Sequence, residues 1–252
     1  MQSDVIEARA KRMRYSDMLA GYKPSAKVKN AAAKARAQGP VRDPIPPEAI
    51  PRAYEGATAV LFATGPSLTE DVVNTVLEAR KETEIILFGC NDAYSIVPAL
   101  DVHYACDSPW WHIHYHDVVE SVAGDMWTQE PHMSKSRFPG LRRVKGTGRK
   151  GLSSDQNLIH FGNNSGYQLI NVAYLYGIKK MILCGYNMSV VNNKRHFFGD
   201  HPPGLNRSGN YTGFAKVFTT IKPEALGIEI VNATPHTALT AFPKVELADA
   251  LR

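Results

Sequence analysis

Beyond residue 55 the apolar residues gather in short unbroken runs separated by polar turns, the pattern of strands covered on both faces of a parallel sheet. The first run is Ala59-Val60-Leu61-Phe62-Ala63, and it breaks at Thr64-Gly65-Pro66-Ser67. A helix is predicted next, with Val72, Val73, Val76 and Leu77 on one face. Glu84 to Gly89 reads as a second strand and Asp101 to Cys106 as a third, ending at Asp107. A polar and aromatic middle section follows. The rhythm then resumes with a helix over Ser165 to Tyr176, a strand over Lys180 to Cys184 and a last strand over Ile228 to Asn232. Alternating strands and helices predict an α/β fold, a modified Rossmann-like mostly parallel sheet with helices on both faces. No internal repeat at a fixed period is visible.

Upstream the pattern differs. Val5 to Leu19 and Ser25 to Ala37 have helix-forming composition but few large apolar residues, so such helices would lie on the main domain or on another copy of the chain, which makes a homo-oligomer one expectation. Gly39-Pro40, Pro44, Pro46, Pro47 and Pro51 then fix φ and remove backbone donors. The expected division is a basic helical arm and Pro-rich linker over residues 1–50, and a nucleotide-binding domain over 51–252.

At 252 residues, 44% hydrophobic and 21% charged, the chain can bury a sizeable core, which excludes wholesale disorder. It has no run of about 18 apolar residues, and Arg9, Lys11, Arg12 and Arg14 have no apolar stretch behind them, so no membrane span and a cytoplasmic location are expected. Cys90, Cys106 and Cys184 lie among apolar residues without a CxxC pair, which suits buried thiols. The net charge of +5 belongs to residues 1–50, which hold ten Lys or Arg against five Asp or Glu; the remainder balances at nineteen and nineteen. The arm is therefore either a docking element for nucleic acid or another acidic partner, or a solvated helical face.

Open parallel sheets bind ligands beyond the carboxyl ends of their strands, so the residues there are the first candidates for chemistry. Gly65 would permit a backbone turn closed to other residues, and Ser67 would cap the next helix while facing an anion. Asn91 and Asp92 follow the second strand, Asp107 and Ser108 the third, and Asn163, Asn164, Ser165 and Gly166 open the later helix. Any one of these is ordinary turn chemistry. Four at successive strand ends weaken that plain reading. No GxGxxG follows the first strand and no GxxxxGK[ST] occurs, so neither an ordinary dinucleotide fold nor a P-loop is supported.

Two groups of histidines stand out. His112, His114 and His116 would share one face of a strand, as metal ligands do; alternatively they belong to a polar loop in which Trp110, Trp111 and Tyr115 form an acceptor platform or cover the core, a question that extends to Trp127. The second group is Arg195-His196-Phe197-Phe198-Gly199-Asp200-His201-Pro202. Here a neutral imidazole, His196 or His201, could take a proton from an acceptor hydroxyl while Lys194 or Arg195 steadies a leaving phosphate.

Val60 to Leu68 (VLFATGPSL), Phe88 to Asn91 (FGCN), Asn164-Ser165-Gly166, Leu175 to Tyr186 (LYGIKKMILCGY) and His196 to His201 (HFFGDH) fall in the order of the motifs of bacterial sialyltransferases that use a CMP-linked sugar. The resemblance spans about residues 57 to 245, with Gly213 to Pro243 similar to the family's closing helix, strand and tail. The GPSL and strand-GY elements also resemble flagellin-modification proteins, archaeal 6-hydroxymethylpterin pyrophosphokinases and bacteriophage proteins, the last implying a phage-encoded protein acting in the host cytoplasm. The resemblance implies that Gly65, Ser67, Asn91, Ser165 and Gly166 hold the nucleotide and that His196 is the general base; Thr64, Pro66, Asp92, Asp107 and Asn164, at the same strand ends and helix start, complete the expected nucleotide-binding set. Thr64 stands where the family has Asn, Asn187 where it has Asp, and Asp200 to Pro203 lengthen the histidine loop. The expectation is a glycosyltransferase using a CMP- or UDP-linked sugar, with no required metal or other cofactor and an unassigned acceptor. Its rivals are a pyrophosphokinase or other phosphotransferase with Mg²⁺ held by Asp92 and Asp107, and a non-catalytic phage or assembly protein using its basic arm on nucleic acid. A transferase acting on a nucleic acid presented by the arm joins the first and last.

Overall fold

The computed structural model describes residues 41–201 and 211–252, so the expected helices over Val5 to Leu19 and Ser25 to Ala37, and the loop extension at Pro202 and Pro203, lie outside the described residues. The described chain is an α/β domain. Strands β1 (Thr58–Phe62), β2 (Ile85–Cys90), β3 (Val102–Tyr104), β4 (Asp125–Thr128), β5 (Leu141–Arg143), β8 (Lys180–Cys184) and β9 (Glu229–Asn232) form one sheet in the order β5-β4-β3-β2-β1-β8-β9. Every pairing is parallel. Two further short strands, β6 (Lys145–Thr147) and β7 (Leu158–His160), pair in parallel beside it.

Alternation along the strands divides the interior in two. Ala59, Leu61, Ile86, Phe88, Met181 and Leu183 point into one core, closed by α3 (Ser165–Leu175) and by Phe218 of α4 (Tyr211–Phe218). Their neighbours Val60, Phe62, Ile85, Leu87, Ile182 and Cys184 point into the other, closed by α1 (Glu70–Glu82), α2 (Ser108–Ser121) and the C-terminal turn α6 (Leu247–Ala250). A short helix α5 (Pro223–Leu226) leads into β9. Because both faces are covered, the strands carry continuous apolar runs, as the sequence showed.

Helix α1 has Thr69 as its N-cap, Glu70 and Asp71 in the first turn and Arg80 and Lys81 in the last, charges that complement the helix dipole. Ser67, expected to be the cap, is not; that role falls to Thr69. The segment over 108–116, read as a strand face or a loop, is helical. Pro109 sits in its first turn, and Trp110, Trp111, His114, Tyr115 and Val118 are buried at helical spacing.

The Pro-rich stretch also differs from a linker. Ile45 and Ile50 are buried, their amides donating to the Met133 carbonyl at 2.9 Å and the Gln156 carbonyl at 2.8 Å, while Glu48 donates its amide to the Arg143 carbonyl at 2.8 Å and Pro47 pairs with Arg143 in parallel, so residues 47–48 lie along the outer edge of β5. Arg142 adds contacts to Glu48 at 2.9 Å and Asp125 at 2.9 Å, stacked 4.3 Å over Trp127. At the opposite edge Lys244 bridges Asn232 of β9, and the Asn232 amide donates to the Pro243 carbonyl at 2.8 Å.

Candidate functional site

The chain leaves β1 toward β2 on one side and returns to β8 on the other, so the topological switch point lies between β1 and β8. The loops at that crevice are stitched together. The Gly65 amide donates to the Gly185 carbonyl at 2.8 Å, and a Cβ at position 65 would lie 2.3 Å from both that oxygen and Asn187 Oδ1. Gly65 is not among the left-handed residues, so close approach rather than an unusual turn requires glycine there. Gly185 does have φ +76, and a Cβ on it would lie 2.5 Å from the Ala63 carbonyl oxygen.

Asn187, buried to 1% exposure, clasps three segments at once. Its Oδ1 accepts from the Ser67 amide at 3.1 Å and from Ser67 Oγ at 2.7 Å, while Nδ2 donates to the Pro235 carbonyl at 3.0 Å and more weakly to that of His236 at 3.4 Å. The two donors that the Gly-Pro-Ser turn was expected to offer a phosphate are therefore occupied by a side chain. Pro66 sits in the same turn, half-buried.

The loop after β8 then folds back over β1 and β2. Two tight turns shape it, one through Asn192 and Asn193 with φ of 50 and 60, closed between Val191 and Lys194, and one through Gly199 with φ of 96, closed between His196 and Gly199. The Phe197 amide donates to the Thr64 carbonyl at 3.1 Å, and His196 Nδ1 meets Thr64 Oγ1 at 3.1 Å. His196 stacks on Phe198 at 5.0 Å and lies 4.6 Å from the ring of His201. Burial, with His201 adding to it, pushes His196 down to about 4, against the opposing field of Asp92, so its imidazole is neutral near pH 7.

Asp92, in the 3-10 turn Asn91–Ser95 after β2, is fully buried beneath this loop. Its Oδ2 accepts from Trp110 Nε1 at 3.0 Å and faces His201 Nδ1 at 3.9 Å; its Oδ1 faces His114 Nε2 at 3.8 Å. Trp110 is stacked between His103 at 5.4 Å and His114 at 4.6 Å, and His103, also buried, is pushed down to about 4 by desolvation. Asn91 adopts φ of 47, and its carbonyl meets His103 Nε2 at 2.8 Å.

Around the carboxyl end of β3, Cys106 Sγ lies 3.4 Å from Ser165 Oγ and 3.4 Å from Asp107 Oδ2, which brings the start of α3 to the same edge of the sheet. Asn164 caps that helix, accepting from the Tyr167 amide at 3.1 Å. The amides of Ser165 and Gly166 are first-turn groups with no acceptor inside the helix. Gly166 packs under Tyr186, whose hydroxyl donates to the Gly166 carbonyl at 3.1 Å. Asn163 beside them is left-handed with φ of 55.

The four expected strand-end groups are thus brought to one edge: the turn after β1, Asn91 and Asp92, Asp107 and Ser108 after β3, and the start of α3. Trp110, Trp111 and Tyr115 are not an acceptor platform. Their rings are buried, with Trp111 Nε1 donating to the Ala105 carbonyl at 3.0 Å and the Tyr115 hydroxyl to that of Pro139 at 2.5 Å. Trp127 is likewise core, donating to the Tyr176 hydroxyl at 2.7 Å. In a helix His112 and His116 fall on a face that His114 does not share; His114 is buried, His112 is half-buried and His116 is exposed. Among the described residues no group of three His, Cys, Asp or Glu is arranged to hold a metal ion. Asp107 is exposed while Asp92 is sealed, so the pair does not present two carboxylates to one Mg²⁺. Arg195 is half-buried and Lys194 is exposed. Cys90, Cys106 and Cys184 are free thiols, the first and last buried and pushed up to about 12 by desolvation.

One loop escaped the sequence reading. Gly148 to Gly151, carrying exposed Arg149 and Lys150, follows β6 and is tied to the approach to α3, because the Phe161 amide donates to the carbonyls of Thr147 at 3.2 Å and Gly148 at 3.1 Å. Its Gly-Thr-Gly-Arg-Lys-Gly sequence was a signal, but no helix follows it directly.

No family model matches the chain, and no curated protein matches it significantly. Among the described residues no helix is long and apolar enough to cross a membrane.

Proposed function

We propose that the chain is a nucleotide-sugar-dependent glycosyltransferase of sialyltransferase-like type. The observation that carries the reading is the loop after β8 folding back onto Thr64, which sets two imidazoles, His196 and His201, beside the polar groups that end β1 and β2. The donor lies along the carboxyl edge of the sheet. Its phosphate is assigned to the first turn of α3, at the Ser165 and Gly166 amides, since Asn187 occupies the donors of Ser67. Asn91 and Thr64 line the nucleotide side. In the transfer the acceptor oxygen attacks the anomeric carbon, the bond from that carbon to the phosphate oxygen breaks, and its electron pair leaves with the nucleotide. The hydroxyl proton passes to a histidine of the loop, the motif resemblance favouring His196. The helix N-terminus stabilises charge growing on the leaving group.

The test is a thermal-shift screen of the full chain against CMP, CDP, UMP, UDP, GDP, ADP and ATP, each with and without Mg²⁺, followed by turnover with the matching nucleotide sugar. A ligand that binds the native state raises its melting point, by an amount set by about 2.7 kcal/mol of stabilisation at a hundredfold excess over Kd. A pyrimidine nucleotide should act without added metal, and His196→Ala combined with His201→Ala should abolish transfer while keeping that stabilisation. Stabilisation by ATP only with Mg²⁺ would point to phosphotransfer instead. Absence of any shift, with salt-sensitive nucleic-acid binding lost on deleting residues 1–40, which keeps the buried Ile45 and Ile50, would leave the non-catalytic reading.

A further inference from the structure

The carboxylate sealed beneath the histidine loop distinguishes the two imidazoles. Asp92 keeps only 1% side-chain exposure, and the Trp110 indole of the core donates to its Oδ2 at 3.0 Å. Two imidazole nitrogens face it from opposite elements, His114 Nε2 from α2 at 3.8 Å and His201 Nδ1 from the loop at 3.9 Å. Both nitrogens are buried and neither has a hydrogen-bond partner among the described residues. His114 is sealed at 6% exposure and its Nδ1 already meets the Tyr94 hydroxyl at 3.0 Å, so it has no face left for a substrate. His201 keeps 14%. It is therefore the imidazole that can turn one nitrogen to a buried carboxylate and the other to the site. The Nδ1 of His196, by contrast, is spent on the Thr64 hydroxyl.

We propose that Asp92 is a positioning residue that fixes His201 as the general base of the transfer, with His196 its neutral, hydrogen-bonded neighbour. The proposal rests on the glycosyltransferase reading for its chemistry but on the Asp92, His114 and His201 geometry for its substance. A separation of 3.9 Å is longer than a hydrogen bond, and closing it takes a loop shift of about 1 Å, in keeping with catalytic hydrogen bonds that tighten only when substrate binds. Once closed, Nδ1–H points to Asp92 and the lone pair sits on Nε2. The acceptor hydroxyl gives its proton to Nε2 as its oxygen bonds the anomeric carbon and the sugar–phosphate bond breaks, with the electron pair on the departing phosphate. The resulting imidazolium lies against the Asp92 carboxylate. A buried His196, held down to about 4, accepts a proton poorly near neutrality, which agrees with this division of roles.

Nitrogen-15 NMR of histidine-labelled full chain reads the arrangement without any substrate. The neutral ring of His201 should carry its proton on Nδ1, and Asp92→Asn should shift that proton toward Nε2. With the nucleotide sugar that turns over, His201→Ala and Asp92→Asn should each lower kcat by at least about a hundredfold with donor KM changed by less than about threefold, and His196→Ala should lose less than His201→Ala. Should Asp92→Asn fail to fold, His201→Gln, on the loop, supplies the same kinetic comparison. A His201 ring protonated on Nε2 in the parent protein, or a His201→Ala enzyme within about threefold of the parent while His196→Ala is dead, overturns the proposal and leaves the transferase reading standing. Absence of nucleotide binding sinks that reading instead, and the tautomer still decides whether Asp92 holds His201.

Discussion

Asn187→Asp isolates what one buried amide does at the switch point. The substitution keeps an oxygen for the Ser67 amide and hydroxyl, at 3.1 and 2.7 Å, but replaces the group that donates to the Pro235 carbonyl at 3.0 Å with a second acceptor. A net hydrogen bond of about 1 kcal/mol is lost, and two carbonyls and a carboxylate are left facing one another with almost no water, which adds about 2 kcal/mol. The expected penalty at pH 7 is about 3 kcal/mol, a large part of a typical domain's stability of about 5–15 kcal/mol. Much of it is electrostatic and therefore depends on pH. The new carboxyl has a folded pKa raised above its unfolded value of about 3.9; at about 1.36 kcal/mol per unit, 3 kcal/mol corresponds to a rise of about two units. Between those pKa values the folded state holds a proton that the unfolded state has lost, so stability falls as pH rises from about 4 to about 6 and the penalty is complete above that window. Below about pH 4 the protonated group can donate its O–H to Pro235 and the penalty shrinks. Urea unfolding of parent and variant at matched pH values between 4 and 7.5 measures the difference with the parent's own titration removed. A variant within about 0.5 kcal/mol of the parent at pH 7, or a penalty that stays flat toward pH 4, would refute the clasp.

Other expectations can be checked with the same protein. His103 and His196 are both depressed to about 4, from an unfolded value near 6.5, so their contribution is complete above about pH 6.5 and is lost as pH falls toward 4, with a slope on the order of 2–3 kcal/mol per pH unit if both act; urea titrations across that range should show it, and a pH-independent midpoint would contradict it. Gly65→Ala should destabilise by about 2–3 kcal/mol through overlap with the Gly185 carbonyl and Asn187, both 2.3 Å from the added methyl, and an unchanged melting temperature would show that the crevice gives way. The loop-histidine and Asp92 variants described above supply the functional counterparts.

The fold was largely legible because β1, β2 and β8 are covered on both faces and so announce themselves as apolar runs. Strands β4 to β7 were missed for the opposite reason. Asp125–Thr128 and the three-residue strands are held by pairing with neighbours rather than by local apolarity, and propensity carries little information at that length. Helix α2 left a readable trace at positions 110, 111, 114, 115 and 118, but its three histidines drew attention to polarity instead of period. The strand-end polar groups were found by topology alone. What sequence could not show is that Asn187 occupies Ser67 from 120 positions away, or that Asp92 lies sealed under His201; both depend on loops meeting in space.

Both edges of the seven-stranded sheet end in the same device. Residues 47–48 lie along β5 and residues 243–245 along β9, and Pro47 stands where a strand added outside β5 would need an N–H. An open parallel edge is a template on which other chains can add, and a proline-bearing cover pairs inward while offering a poor ladder outward. The Pro-rich stretch before the domain is therefore expected to guard the β5 edge against self-association. Removing it past Ile50 would expose the β5 edge together with the sockets of two isoleucines, and the shortened chain should be lost to aggregation at concentrations the longer one tolerates.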